Sequence, residues 1–287
     1  MRFVTFQQGG AARPGALVDD RVIDLGSVAP DLLSLIEMDP EGLQRAREAT
    51  EQAGQGVALA DVSLLAPIPR PRQNIFCVGQ NYVQHAYESK RARGEPETLP
   101  PKPVFFTKAV TSVNKPDGVI PYDSNVSNEV DWEVELAAVL GRTGKNIPAA
   151  EALDYVFGYT IVNDISARDL QYETEQWFKG KSLDGSCPMG PVIVTADEIG
   201  DPHKLRLTLR VNGQTMQDSN TSDLIFDTPT LIASLSRGQT LGPGDIISTG
   251  TPSGVGQGRV PRIFLKPGDV VEAEVEKIGV LRNRVGG

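Results

Sequence analysis

From residue 129 to 136, acidic and apolar positions alternate without a break: Glu129, Asp131, Glu133 and Glu135 against Val130, Trp132, Val134 and Leu136. A period of two is the signature of a strand, whose successive side chains point to opposite faces. One face then carries four carboxylates roughly 6.5–7 Å apart. Acidic residues are depleted in strands, and like charges sharing a face repel. Two readings stand side by side: an edge strand with a solvated acidic face, or a divalent cation held by some of the carboxylates. Two features favour the cation. The run continues into Ala137-Ala138-Val139-Leu140, apolar on both faces, which marks a buried strand end. A lone acid, Asp164, interrupts another strand-like run at 158–165, where an isolated charge needs a partner.

The same patterning organises the rest of the chain. Short strands are predicted at 2–6 and 16–25, then helix from Asp31 toward residue 53, broken at Asp39-Pro40. A strand at 62–65 leads into Pro67-Ile68-Pro69-Arg70-Pro71, the best candidate linker. Residues 1–69 therefore read as a small accessory domain without visible chemistry, and 70–287 as a β-rich α+β domain. In the larger part, a compact strand at 74–79 delivers a helix on which His85 and Glu88, three apart, share a face. The polar, proline-rich run 91–101 reads as a loop free to move. Helices are expected at 149–155, 167–177 and 230–236, and Asn212-Gly213 signals a type I′ hairpin.

Composition narrows the chemistry. With 39% hydrophobic and 23% charged residues over 287, the chain is an ordinary soluble globular composition. Its 28 basic against 37 acidic residues give −9, with no long basic cluster, so nucleic acid and anionic membrane are poor partners. No apolar run reaches transmembrane length and no signal-peptide pattern opens the chain, which points to a cytoplasmic protein. Cys77 and Cys187 are too few for a disulfide framework. With only His85 and His203 besides, a zinc site of the usual kind is nearly excluded, and any metal here is a hard cation in an oxygen shell.

Five ordered blocks now carry a family resemblance. They are Val78-Gly79-Gln80-Asn81-Tyr82 with His85 and Glu88; Asp131-Trp132-Glu133-Val134-Glu135-Leu136; Asn163-Asp164-Ile165-Ser166-Ala167-Arg168-Asp169 with Gln171; Lys179-Gly180-Lys181-Ser182; and Gly244-Asp245 through Gly250-Thr251-Pro252 to Gly254-Val255-Gly256. In this order they resemble the fumarylacetoacetate hydrolase family across residues 75–285. The resemblance implies a mixed β-sheet roll behind the small N-terminal α+β domain, assembled as a homodimer. It further implies Mg²⁺ or Mn²⁺ held by Glu133, Glu135 and Asp164, with Asp131 orienting a ligand or a metal-bound water; Glu129 has no counterpart in the motif and is read as solvated. Gln171 and Thr251 would contact substrate together with Lys181, His85 and Glu88 would form an acid/base dyad on a lid, and Arg168 would be structural.

The implied reaction is hydrolysis of a carbon–carbon bond in a 2,4-diketo acid by way of an enolate. Lys181 places positive charge where the oxyanion develops, and His85, oriented by Glu88, deprotonates the attacking water. Oxaloacetate decarboxylation and 2-hydroxyhepta-2,4-diene-1,7-dioate isomerisation share that enolate, and the motifs do not separate the three. A non-catalytic keto-acid-binding member is the reading from another class, and the intact dyad, triad and Lys181 argue against it. The charged segment 89–102 lies where the lid shapes the distal pocket, so it bears on substrate identity.

Overall fold

A computed structural model describes all residues except Asp39, Arg93 and Gly287. Its centre is one large mixed sheet. The path across it runs Val57–Ala58, Arg21–Asp24, Arg13–Val18, Arg2–Gln7, Cys187–Thr195, Val156–Asn163, Val134–Leu140, Ile246–Ser248, Ile75–Gly79, Val104–Lys108. A second sheet, ordered Gln214–Asn220, Arg206–Val211, Val270–Val275, Gly279–Val285, Val119–Ile120, packs against it. The fold is α+β and strand-rich, as expected.

Every residue of Val134–Leu140 is buried, because both faces of this central strand are covered. Leu136, Ala138 and Leu140 pack with Leu207, Leu209 and Ala273 of the second sheet. Ala137 and Val139 face the opposite way, into a cluster with Leu32, Leu35 and Ile36 of helix α1 (Leu32–Glu37). Burying each large apolar side chain stabilises the fold by about 1.5–3 kcal/mol, and Val130, Trp132, Val134 and Leu136 are all buried on the face the alternation assigned to them. The acidic parity of the strand is what remains to be satisfied.

The alternating stretch is not one continuous strand. Val130–Asp131 pairs with Ser166–Ala167, and Val134–Leu140 pairs with Val156–Asn163 and Ile246–Ser248. The ladder breaks between them because side chains intervene: Asn163 Oδ1 accepts from Glu133 N at 3.0 Å and Gln217 Oε1 from Val134 N at 3.0 Å. The alternation of faces survives the break.

The first residues join the same sheet. Arg2 pairs with Val194 and Phe3 with Ile193, so the proline-rich run at 67–71 connects two parts of one hydrogen-bonded sheet. Phe3, Ala16 and Ile23 share a core with Cys77 and Val162. Asp31 caps α1 through Ser34 N at 2.7 Å, and α2 (Glu41–Gln52) follows a break at the expected place, of which Asp39 lies outside the described residues. The 212–213 hairpin forms with both residues at positive φ, 51° and 79°, as a type I′ turn requires. The segment expected as helix at 149–155 is 3₁₀, and that at 167–177 shortens to α4 (Arg168–Tyr172) before α5 (Phe178–Lys181). Among the described residues, no helix is long and apolar enough to cross a membrane.

Candidate metal and acid/base site

Strand register brings the acids together. Val134 lies opposite Asn163, which puts Glu133 across from Asp164, and Asp164 N donates to Glu133 O at 2.8 Å. Glu135 follows two positions on, on the same face. Ligand oxygens of Glu133, Glu135 and Asp164 all lie within 4.8 Å of one another, and the three residues are buried. The two sequence signals, an alternating acidic strand and a lone acid on another strand, thus meet in one place.

Cations surround the triad unevenly. Lys181, at the end of α5, donates Nζ to Glu133 Oε2 at 2.8 Å and Asp164 Oδ2 at 2.7 Å. Arg168 Nη2 donates to Glu133 Oε1 at 2.6 Å. Burial alone would raise the Glu133 carboxyl, but Lys181 and Arg168 outweigh it and hold the group well below the usual carboxylate range. Burial likewise works against the Lys181 ammonium, and Asp164 and Glu133 overcome it.

Glu135 is treated differently. Its Oε2 accepts from Ser248 Oγ at 2.6 Å and Gly250 N at 2.9 Å. Burial pushes its carboxyl up to about 8, with Asp164 and Glu133 adding to the shift. Asp164 Oδ1 is fully buried and has no hydrogen-bond partner among the described residues, although Lys108 Nζ lies 2.8 Å away as an ion pair. An under-neutralised buried carboxyl beside a carboxylate oxygen that accepts no hydrogen bond fits a hard divalent cation, for which an all-oxygen donor set is the expected shell.

Two placements, those of Arg168 and Glu129, differ from expectation. Arg168, read as structural, is in the site: it is buried, and its remaining donors reach Asp131 Oδ2 (2.9 Å) and Gln171 Oε1 (2.9 Å). Asp131 accepts from Trp132 N, Gly256 N, Gln257 N and Arg168 Nε, so both its oxygens are committed and it acts on Glu133 through Arg168. Glu129, read as solvated, is half-buried, and its carbonyl accepts Arg168 N at 2.9 Å.

Three of the remaining expected residues, His85, Gln171 and Thr251, line one small pocket with Glu133, Glu135, Arg168 and Lys181, while Glu88 stands behind His85 outside that lining. Gln171 is buried there, its amide oriented by Arg168. Thr251 also lines it, but its hydroxyl donates to Val134 O at 2.9 Å and accepts from Gln217 Nε2 at 2.8 Å. His85 enters from helix α3 (Val83–Ala92) and is 6% exposed. Its Nδ1 lies 3.3 Å from Glu88 Oε2 and its Nε2 3.4 Å from Ser89 Oγ. Gly79 lets Trp177 close the wall, since a Cβ there would sit 2.3 Å from the indole.

The glycine-rich run after Ile246–Ser248 explains itself here. Its amides bind the protein's own carboxylates: Gly250 N holds Glu135, Gly254 N reaches Glu88 Oε1 at 3.1 Å, and Gly256 N and Gln257 N hold Asp131 at 2.7 and 2.9 Å. Gly254 has φ +105°, and a Cβ there would meet Met216 O at 2.1 Å. The loop therefore joins the triad strand to the helix bearing His85. Nothing in its spacing announced this, and Lys108, a single lysine closing an apolar strand, was equally silent.

Comparison with known proteins agrees with the geometry. Residues 74–286 match the family described as fumarylacetoacetate (FAA) hydrolase C-terminal. The chain is 42% identical to oxaloacetate tautomerase YisK of Bacillus subtilis (strain 168), covering 100% of both proteins. It is 42% identical to the mitochondrial oxaloacetate tautomerase fahd2 of Xenopus laevis, over 99% of this chain and 90% of that one. Among solved structures it resembles maleylpyruvate hydrolase from Sphingobium sp. SYK-6 in complex with manganese(II) ion and pyruvate, with TM-score 0.80 and 32% identity over 100% of this chain and 99% of the other. A putative HpcE protein from Mycobacterium smegmatis aligns with TM-score 0.86 and 38% identity, again over 100% and 99%. On its sequence match over residues 74–286 and on full-length identity to these relatives, the chain belongs to the fumarylacetoacetate hydrolase family.

Proposed function

We propose that this protein is a divalent-metal-dependent enzyme that interconverts the keto and enol forms of a short 2-keto dicarboxylic acid, oxaloacetate being the leading substrate. The observation that carries the reading is the buried Glu133–Glu135–Asp164 triad, whose Glu133 and Glu135 line one small pocket together with His85 and Lys181. Lys181 and Arg168, which line the same pocket, suit an anionic substrate such as a short diacid. Full-length identity to proteins named oxaloacetate tautomerases supports the same choice.

Glu133, Glu135 and Asp164 would hold Mg²⁺ or Mn²⁺. When bound, that cation supplies Lewis acidity toward the carboxylate and keto oxygen of the substrate. Lys181, kept protonated by Glu133 and Asp164, adds positive charge beside the oxygen that becomes negative as a proton leaves C3. His85 takes that proton from C3 and delivers it to the former keto oxygen to give the enol, and carries it the opposite way in ketonisation, with Glu88 holding the imidazole by its Nδ1. Gln171, fixed by Arg168, orients the substrate, and Thr251 shapes the wall. Phe106, Trp177 and helix α3 keep bulk water out.

Carbon–carbon hydrolysis is the second reading, favoured by the His85–Glu88 dyad, which can equally activate a water. Decarboxylation of oxaloacetate shares the enolate. A panel of enol-oxaloacetate, acylpyruvates and 2-hydroxy-diene-dioates with Mg²⁺ separates them, scoring enol absorbance, pyruvate and CO₂ independently. Enol decay without matching pyruvate supports the tautomerase; stoichiometric pyruvate from an acylpyruvate replaces it with hydrolysis. The composition supports a cytoplasmic location and the family resemblance a homodimer, which fractionation and sedimentation velocity would test.

A further inference from the structure

Lys108 ends the strand Val104–Lys108 and is completely buried. Its ammonium is enclosed by Ile165 O at 3.1 Å, Ser186 Oγ at 3.3 Å and Lys181 O, with Asp164 Oδ1 at 2.8 Å. An interior ammonium is costly to desolvate, and it persists only when fully partnered. Here the partners are not scattered. Two are the main-chain carbonyls of Lys181 and of the residue after Asp164, and a third is the Asp164 carboxylate itself.

The geometry separates holding from saturating. Lys108 makes its hydrogen bonds to Ile165, Lys181 and Ser186, and its approach to Asp164 Oδ1 is an ion pair outside hydrogen-bond geometry. Asp164 Oδ2 is taken by Lys181. Oδ1 is thus held by the ammonium's charge at 2.8 Å without accepting a hydrogen bond. Lys108 also ties the backbone of Lys181 to that of Ile165, so the ammonium of Lys181 and the carboxylate of Asp164 are set by one common anchor.

We propose that Lys108 is a positioning residue for the cation site: it aims the free oxygen of Asp164 and registers Lys181 against it, without touching substrate. The inference rests on the metal reading of the triad given above. It also has a sign that charge alone does not. A nearby ammonium repels a dication, so on Coulombic grounds its removal should tighten cation binding. Loss of positioning does the opposite.

The test is Mn²⁺ affinity, read from the free Mn²⁺ electron paramagnetic resonance signal and thus independent of activity. Parent, Lys108→Met, Asp164→Asn and the double variant are compared, with circular dichroism melts to verify folding. Lys108→Met should bind Mn²⁺ about 10–100-fold more weakly, the usual loss for an outer-shell partner, and should add little in the Asp164→Asn background. Ser186→Ala removes one Nζ anchor together with the Ser186 Oγ bond to Lys181 O at 3.3 Å, the same carbonyl that Lys108 holds; it should weaken binding by a smaller factor, and it stands as the deciding variant if Lys108→Met does not fold. Unchanged or tighter binding in Lys108→Met, additive losses with Asp164→Asn, or, where Ser186→Ala decides, parental affinity in that variant would overturn the proposal. Absence of Mn²⁺ binding in the parent would instead remove the metal reading itself.

Discussion

Asp164 sits directly across the sheet from Glu133: its amide donates to the Glu133 carbonyl at 2.8 Å, while Lys181 Nζ lies between the two carboxylates at 2.7 and 2.8 Å. Register alone sets the first contact, and a buried lysine the second. Removing either acid therefore leaves Lys181 half-partnered as well as deleting a proposed cation ligand. Glu133→Ala and Asp164→Asn should each weaken Mg²⁺ binding by at least about 10-fold in titration calorimetry, in line with losses seen around metal sites. Parental affinity in both variants would refute the ligand assignment.

Glu135 gives the site a pH dependence. Its folded carboxyl is raised from an ordinary 4.5 to about 8. In the metal-free protein its contribution to stability is therefore fully present below about 4.5 and lost as pH rises through about 8. A cation needs the ionised carboxylate, so cation binding runs the other way: affinity should rise with pH, by at most about tenfold per unit, and level off above about 8. The gain in melting temperature on adding Mg²⁺ should accordingly be larger at high pH than at low pH. A gain independent of pH would contradict this account of Glu135.

The Arg168 network predicts a stability defect. Arg168 holds Asp131, Glu133 and Gln171 at once, in the interior. Replacing one partner of a buried ion pair leaves unpaired charge, at a cost of roughly 3–5 kcal/mol. Arg168→Met should therefore lower the denaturation midpoint strongly. Asp131→Asn should lower it less, because Asn keeps an acceptor oxygen for part of the Gly256 and Gln257 amide pair. Arg168→Met with parental stability would show that the network is not coupled in this way.

Parts of this site were legible in the sequence and parts were not, for physical reasons. Glu133 and Glu135 announce themselves because period-two patterning is local and a charged face on a buried strand needs an explanation. Asp164 was visible as a lone acid in an apolar run. Lys108 and Arg168 carry no comparable signal: each joins the site only through partners 57, 73 or 35–37 positions away, brought near by sheet pairing. The same holds for the first strand, whose pairing with Cys187–Thr195 joins Arg2 to Val194 across most of the chain. Asn163 and Gln217, which break the acidic strand by taking its amides, are likewise invisible to a pattern that sees only polarity.

The dyad can be separated from the triad by mutation. His85 is nearly buried and contacts Glu88 and Ser89, but none of the three acids of the triad by hydrogen bond. His85→Ala should keep Mg²⁺ affinity close to parental while kcat falls by about 10²–10⁴-fold, the range for a lost general base. Glu88→Gln should cost less, since the imidazole remains though poorly held. Amide exchange over residues 82–102 should slow when Mg²⁺ and oxalate are added, as helix α3 settles on the 256–258 turn. Full activity in His85→Ala would take the dyad out of the mechanism.

The central claim is that cation-dependent proton transfer at C3 of a keto diacid occurs on the Glu133–Glu135–Asp164 triad. Stopped-flow decay of enol-oxaloacetate absorbance tests it most directly, recorded for the Mg²⁺-loaded protein, the chelator-treated protein and Glu135→Gln. Decay should be rapid with the loaded protein, without matching release of CO₂ or pyruvate. The rate should fall to the uncatalysed one after chelation, recover on Mg²⁺ addition, and stay near background in Glu135→Gln. Decay that is no faster than buffer, or that is fast and indifferent to both chelation and Glu135→Gln, would contradict it.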